Sequence, residues 1–360
     1  MPRVLSLISE AMESEHCRVL PCERVNLDAE RFGEYLDSEE HPAERPFENP
    51  HTDSWKRNVA LPRNPIPPIL RYFLDGSRRT YKVADVVVGG RYLPLIAGQV
   101  GVAVIERYSE RSLRPLRQFC QCSNLLAFPG TIEAADITRL SEVLSEASVH
   151  SFKLVQYSYK KDRDPVDLGV ARIMSEMHDL EIQCVRMMAE DRLLATDRML
   201  VIDGPLRFRK RLDMVQFRNV IGLSKTFRPS FSLGSGRRKK DVGVLAASLR
   251  CGERTTVFRT EEGEKLIGMW YLRIRPRRYM SNPLQGIVKA ECYAVDHAET
   301  ENGLDSARID SISAHVYRER NVTPYKSDSR WASHVYPVFL AESFLKASFM
   351  SDVRFKALLT

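Results

Sequence analysis

Two aspartates, Asp75 and Asp203, each stand between a run of apolar residues and a glycine. We interpret residues 71–74 and 198–202 as short buried strands, each of which ends at its aspartate and is followed by a turn. A carboxylate at the carboxyl end of a buried strand lies at the edge of the sheet, where open α/β folds bind their ligands. The glycine lets the backbone turn without a Cβ and leaves space beside the acid.

Two such acids on neighbouring strands can share a divalent cation, and their hard oxygen ligands favour Mg²⁺ or Mn²⁺ over zinc. Cleavage of a phosphodiester by two metals needs a carboxylate-rich edge of this kind, because the metals activate a water and stabilise the leaving oxygen. The alternative is that Asp-Gly simply forms a turn, which is the commonest use of the dipeptide. Both interpretations of Asp75 and Asp203 stay open at this point.

The elements that position these acids follow from the apolar pattern. Glycine-punctuated, β-rich residues 83–95 and 99–107 predict adjacent antiparallel strands. Apolar residues at three- and four-residue spacing predict a helix over 167–195. Residues 219–226 predict a short strand that ends on Lys225. Further expected strands are 152–159, 255–259, 269–274, 286–295 and 309–317, and an amphipathic helix is expected to begin at 339–345.

Composition indicates a globular protein. The chain has 360 residues, of which 43% are hydrophobic and 28% charged, and this balance argues against wholesale disorder. No apolar run is long enough for a membrane span, and the first residues do not resemble a signal peptide, so we expect a cytoplasmic protein with no membrane partner. Residues 1–60 are polar and irregular and are interpreted as an N-terminal extension; residues 61–360 form the main domain.

The net charge of +7 is concentrated in residues 207–240 and 273–278. Basic stretches attract phosphate polymers, so a nucleic-acid partner is one interpretation and a solvated basic face is the other. The seven cysteines lack zinc-ribbon spacing and are expected to be reduced thiols. Residues 234–240 lack the Gly-Lys-Ser/Thr of a P-loop, so we expect no ATP hydrolysis by this chain.

Four motifs occur in an order that resembles the NurA nuclease family. The resemblance covers about residues 69–350 and leaves the first 60 or so uncovered. The motifs are Asp75-Gly76-Ser77, the apolar run that ends in Asp203-Gly204, Gly222-Leu223-Ser224-Lys225, and Tyr336-Pro337 followed by Leu340-Ala341.

The resemblance implies an α/β, RNase H-like fold with a mixed sheet flanked by helices. It also implies cleavage of single- and double-stranded DNA with Mn²⁺ or Mg²⁺, a homodimer, and partnership with a HerA-type hexameric ATPase in DNA end processing or anti-phage defence. Asp75 and Asp203 would be metal ligands. A third metal-binding carboxylate is expected on the helix before the central strand; Glu181 is preferred, with Glu176 and Glu190 as alternatives. Lys225 would pair with a phosphate.

The sequence departs from the family pattern at two places. Pro205 replaces a serine after the central Asp-Gly, and Glu342 stands where relatives carry a histidine. His334 lies eight residues upstream and would replace the family's histidine only if the backbone places its side chain at the same site. Glu342 either joins the acids around a cation or is a solvated acid at the start of a helix.

These departures leave other functions open. One is a catalytically silent subunit that binds DNA or an ATPase partner through a degenerate nuclease site. Another is an RNase H-like enzyme that acts on RNA or on an RNA–DNA hybrid.

Overall fold

The computed structural model describes residues 4–13, 17–28, 46–50, 54–59, 67–147, 152–208, 210–227, 229, 232–233, 240–280, 282–320 and 329–359. The helices are α1 (Val4–Met12), α2 (Ala134–Glu146), α3 (Pro165–Glu190), α4 (Val242–Ala247), α5 (His297–Asn302), α6 (Ser306–Arg318), α7 (Tyr336–Ser348) and α8 (Asp352–Leu359). The strands are β1 (Cys17–Asn26), β2 (Glu48–Asn49), β3 (Lys56–Asn58), β4 (Leu70–Val88), β5 (Arg91–Ser109), β6 (Ser112–Pro115), β7 (Gln121–Pro129), β8 (Phe152–Tyr157), β9 (Met199–Asp203), β10 (Val220–Ser224), β11 (Ser232–Leu233), β12 (Lys240–Asp241), β13 (Glu253–Thr255), β14 (Phe258–Glu262), β15 (Lys265–Arg273), β16 (Ile287–Tyr293) and β17 (Leu304–Asp305).

One large mixed sheet carries the fold. Its strand order is β3-β13-β15-β16-β10-β9-β4-β5-β7-β8, with β1 beside β4, β14 beside β15 and β6 beside β5. The central strands β4, β9 and β10 are parallel, as are β7 and β8, whereas β5, β15 and β16 pair antiparallel with their neighbours. The predicted α/β class, with a mixed sheet flanked by helices, is confirmed at this level.

Strands β4 and β5 form a long hairpin in this sheet. Each strand has 19 residues, and the pairing extends from Tyr72 opposite Glu106 to Val88 opposite Arg91. Gly89 and Gly90 make the turn, with φ of 55° and 71°, a region that glycine adopts without steric cost. Antiparallel pairing is confirmed, but the turn lies inside the predicted segment 83–95, and residues 91–95 and 99–107 belong to one strand, β5.

The strand at Asp75 does not end where we predicted. Asp75 pairs with Ala103 and Gly76 with Val102, so β4 continues through Asp-Gly without a turn. The prediction was wrong here because β5 offers a full-length partner, and its hydrogen bonds keep the glycine extended. At Asp203 the prediction is confirmed: β9 ends there, and Gly204 turns the chain with a φ of 124°.

The edge of β4 is open beside Asp75. Strand β9 pairs with β4 at residues 70–74, and β1 pairs with it at residues 81–88. Within the described part of the chain no strand pairs with that edge at residues 75–79. The sheet therefore has a slot that begins where β9 stops.

Helices cover both faces of the sheet around this slot. Helix α3 confirms the predicted helix; Asp164 accepts a hydrogen bond from the Val166 amide and so caps its start. Its apolar side packs with Leu74 and Ile202 on one face, whereas α6 and α7 pack with Phe73 and Val201 on the other. Helix α7 confirms the helix expected at 339–345, and it begins slightly earlier.

One predicted strand is a helix. Residues 309–317 lie in α6, whose buried apolar residues include Ile309, Ile312 and Val316. That spacing is helical, and Asp305 caps the first turn by accepting from the Ala307 amide. The β-branched residues therefore misled the prediction. The strands expected at 152–159, 269–274 and 286–295 agree with β8, β15 and β16, and Lys225 follows β10 directly. The single strand expected at 255–259 is instead the end of β13 and the start of β14, separated at residues 256–257.

The described parts of residues 1–60 contribute α1, β1, β2 and β3. Strand β1 joins the large sheet with Cys17 opposite Val88, and α1 packs into the core beneath it through Leu5 and Ile8. The domain boundary at residue 60 stays a prediction. The seven cysteines are free thiols. Among the described residues, no helix has the length and apolarity that crossing a bilayer would require.

Candidate acidic site at the end of strand β9

Asp75 is a buried carboxylate in the middle of β4. Only 4% of the residue is exposed, and its Oδ2 atom is buried without a hydrogen-bond partner. Its side chain shares the α7 face with Phe73, since alternate residues of a strand face the same way. Burial and the neighbouring Asp203, whose carboxyl is within hydrogen-bonding reach, raise the pKa of Asp75 well above its usual range.

Lys225 pairs with Asp203 at the neighbouring strand ends. Strands β9 and β10 are parallel with Leu223 opposite Asp203, so Lys225 lies just beyond the aspartate. The Lys225 Nζ donates to Asp203 Oδ2 over 2.6 Å. Burial lowers the pKa of Lys225, but the charges of Asp203, Glu342 and Asp75 raise it by more than burial lowers it. The ammonium group therefore stays charged.

Glu342 of α7 completes the ion cluster from the helical layer. Its Oε2 lies 3.6 Å from Lys225 Nζ, and its Oε1 accepts from Lys346 Nζ over 2.6 Å. Burial raises the pKa of Glu342, but Lys225 and Lys346 outweigh it and lower the pKa to about 2. Glu342 is therefore ionised at neutral pH and holds no proton to donate.

Glu181 approaches from the opposite face of the sheet. It lies on α3, and a methyl group on Gly76 would overlap its Oε1 atom, so the glycine makes room for this carboxyl. The Cβ of residue 76 points away from the Asp75 side chain because neighbours alternate along a strand. Burial, with a contribution from Asp203, raises the pKa of Glu181 to about 8. Glu181 is thus mostly protonated at neutral pH in this structure.

The two alternatives to Glu181 lie elsewhere. Glu176 accepts from Lys153 over 2.7 Å and pairs with Arg172, which occupies its carboxylate. Glu190 is exposed at the end of α3. Asp203 contributes to the raised pKa of Glu181, which places Glu181 near the acidic cluster.

His334 is enclosed in the core just before α7. The residue is fully buried, and its ring meets the Phe339 ring edge-on at 6.2 Å between centroids. It is close enough to contribute to lowering the pKa of Glu342. The structure therefore places His334 near Glu342 but within the protein interior.

Two buried charges that the sequence analysis overlooked position the turn after Asp203. Glu291 and Lys289 on β16 are almost fully buried and lie 3.2 Å apart. Glu291 Oε2 accepts a hydrogen bond from the Leu206 amide over 2.7 Å, which fixes the chain just beyond Gly204. The available signal was a Lys-x-Glu pair inside an otherwise apolar strand.

The basic segment 207–240 divides among several environments. Lys225 enters the acidic cluster, Lys210 pairs with Asp179, and Arg218 pairs with Asp296. Residues 209, 228 and 234–239, which include most of the predicted basic loop, lie outside the described residues.

The acidic site offers carboxylate oxygens to a metal ion. In the described ranges, no group of three or more His, Cys, Asp or Glu side chains is arranged to hold one. Instead, the Lys225 ammonium lies beside Asp203 and Glu342, and the nearby charge of Asp75 also raises the pKa of Lys225. The oxygen chemistry fits Mg²⁺ or Mn²⁺, and the unsatisfied Asp75 Oδ2 is an available ligand atom.

No protein-family model matches this chain, and no curated protein matches it in sequence.

Proposed function

We propose that this protein is a metal-dependent DNA nuclease with Asp75 and Asp203 as its metal ligands. The observation that carries the proposal is the buried Asp75 carboxylate, whose Oδ2 has no hydrogen-bond partner, in contact with Asp203. Two carboxylates this close repel each other, and burial increases the cost of their charges. A site that keeps them together is suited to a divalent cation.

Each residue of the cluster has a role in this proposal. Asp75 and Asp203 would hold Mn²⁺ or Mg²⁺, with Glu181 as a further ligand from the α3 face once it loses its proton. The ion would supply positive charge that stabilises a phosphodiester transition state. Lys225 keeps its proton and holds Asp203 in place; Glu342 holds Lys225. Because Glu342 is ionised, it does not act as a general acid.

The wider proposal rests on motif resemblance alone. It comprises an RNase H-like fold, a cytoplasmic homodimer, and work with a HerA-type hexameric ATPase in DNA end processing or anti-phage defence. Copurification with such an ATPase tests the pairing, and separate elution of the two proteins at micromolar concentration would count against it.

A second candidate function has its own supporting observation. The Lys225 ammonium pairs with Asp203 and Glu342, so the cluster neutralises its own charge. A subunit without nuclease activity would also keep such a cluster. In that case the protein binds DNA or an ATPase partner without cleaving.

Degradation of labelled single-stranded DNA, double-stranded DNA and RNA, with Mn²⁺, Mg²⁺ or chelator, separates these functions. We expect DNA cleavage with metal and its loss in Asp75→Ala and Asp203→Ala. Asp197→Ala is the matched control, because Asp197 lies just before β9 with 77% of its side chain exposed. If either acid variant retains activity near that of the control, the two-carboxylate site is wrong.

A further inference from the structure

A cavity of about 440 Å³ lies beyond the end of β15 and is lined by arginines. Its walls come from residues 247–251, at and beyond the end of α4, and from Arg273 at the end of β15 with residues 276–278 beyond it. The arginines are Arg250, Arg273, Arg277 and Arg278.

Arg273 is a buried cation without a neutralising carboxylate. It is fully buried, and its guanidinium donates to the backbone oxygens of Gln285, Ala247 and Pro283 over 3.2, 3.1 and 2.7 Å. Its Nε is buried with no hydrogen-bond partner. No carboxylate of the described chain lies within salt-bridge distance. Carbonyl oxygens carry only partial charge, so the cost of burying this cation is not fully offset.

The surroundings of Arg273 add further positive charge. Arg250, Arg277 and Arg278 are exposed, and the Lys56 ammonium donates to the Ser248 carbonyl over 3.1 Å. The nearby Glu253 carboxylate accepts from the Arg250 amide over 2.6 Å. Burial and the charge of Arg277 both lower the pKa of Arg273, as expected where positive charges are not balanced.

We propose that this arginine cavity binds the phosphate groups of a nucleic-acid strand. Guanidinium groups match phosphate oxygens in planar, bidentate hydrogen bonds. A phosphate in the cavity would neutralise Arg273, which the protein itself leaves unbalanced. The exposed arginines at the rim give the neighbouring phosphates of a polymer further contacts, and they make the site open enough for a strand.

The cavity and the acidic cluster share one edge of the sheet. Strand β15 is parallel to β9 and β10, and Asp203, Leu223, Ala290 and Trp270 are aligned across four strands. Arg273 lies three residues beyond Trp270, on the opposite face from Asp203. Three strand spacings separate the two sites by about 14 Å perpendicular to the strands, and three residues add about 10 Å along the strand direction.

A single nucleic-acid strand that passes around the carboxyl ends of β9, β10 and β15 would therefore contact both sites. That path rests on the proposed nuclease function, whereas phosphate binding in the cavity does not.

Fluorescence anisotropy with a labelled single-stranded oligonucleotide, in chelator so that no cleavage occurs, tests the cavity. The test variant is Arg277→Glu with Arg278→Glu. The control is Arg186→Glu with Arg192→Glu, which makes the same change of charge on exposed residues at and beyond the end of α3. Arg186 and Arg192 lie toward the start of β9, at the end of the sheet opposite to the arginine cavity. Thermal melting checks that both variants are folded.

We expect the cavity variant to bind the oligonucleotide about tenfold more weakly than the control. Loss of two phosphate contacts should also reduce the slope of log affinity against log salt by about 1.4. Equal binding by the two variants would overturn the proposal. So would binding of inorganic phosphate in the cavity, measured by calorimetry, together with equal oligonucleotide affinities, because the ligand would then be a small anion. Neither result depends on whether the protein cleaves DNA.

Discussion

The Lys225 ammonium donates to Asp203 over 2.6 Å and also lies 3.6 Å from Glu342, so one lysine binds two acids from two layers of the fold. Strand β10 supplies the lysine, β9 one acid and α7 the other. The pair is shielded, with 12% and 13% of the Lys225 and Asp203 side chains exposed. A charged hydrogen bond in such a place is stronger than one in water.

Removal of that lysine should destabilise the metal-free protein. Lys225→Met leaves Asp75 and Asp203 close together without a cation and leaves Glu342 paired with Lys346. Breaking a buried pair costs about 3 kcal/mol. Added Mn²⁺ should then stabilise the variant more than the wild type, because the ion replaces the missing charge. Urea unfolding in chelator and in Mn²⁺ measures both effects.

Lys346→Met is the control for this prediction. Lys346 also pairs with Glu342, but half of its side chain is exposed, and an exposed pair contributes about 0.5 kcal/mol. If Lys225→Met is no less stable in chelator than Lys346→Met, Lys225 does not hold the cluster together.

Glu181 should make the stability of the metal-free protein depend on pH. Its folded pKa is raised from about 4.5 to about 8, so the protonated form favours folding. This contribution is fully present below pH 4.5 and is lost as the pH rises through 8. Glu181→Gln stays neutral, and above pH 8 it should be more stable than the wild type by on the order of 5 kcal/mol. Unfolding curves of both proteins in chelator across this range give the difference; parallel pH profiles would contradict it.

Gly76→Ala should destabilise the protein while Glu181 is present, because the Glu181 carboxyl must move. In Gly76→Ala the new methyl group overlaps the Glu181 carboxyl, and relief of such crowding costs about 1–3 kcal/mol. The double variant Gly76→Ala with Glu181→Ala should recover stability relative to Gly76→Ala, because the overlapping atoms are gone. Denaturation of the single and double variants measures the coupling. If the stability changes of the two single variants add up to that of the double variant, the side chains at positions 76 and 181 do not overlap.

Glu342 should influence metal affinity through Lys225. In Glu342→Gln the lysine loses one partner, and we expect the Mn²⁺ concentration for half-maximal cleavage to change severalfold. Glu342→His tests whether the histidine of the resembling family functions at this position. Unchanged rate and Mn²⁺ dependence in Glu342→Gln would make Glu342 structural. Loss of activity in His334→Ala, with the fold intact, would assign the role to His334 instead.

The sequence predicted the elements whose signals are local. Helix α3, the end of β9 at Asp203 and the position of Lys225 after β10 follow from apolar spacing and from glycine. Residues 309–317 show where this fails: Ile309, Ile312 and Val316 have helical spacing but β-branched side chains, and spacing decided the outcome. The course of β4 through Asp75 depends on β5, a partner more than twenty residues away.

The residues of the acidic site were predictable from the sequence, whereas their arrangement was not. Asp75, Asp203, Glu181, Lys225 and Glu342 were all candidates from the sequence, but their arrangement was not. That Lys225 binds acids rather than pointing outwards depends on α7, and that Glu181 lies across the sheet from Asp75 depends on strand alternation at Gly76. Such relations arise from tertiary packing, which no spacing along the chain encodes.

The open edge of β4 has a consequence for amide exchange. Backbone amides that point from residues 75–79 toward the slot lack the strand partner that β9 and β1 supply on either side. They should exchange with deuterium faster than their neighbours in the same continuous strand, although Asp75 itself is almost fully buried. A brief exposure to heavy water would therefore label the middle of β4 before its ends.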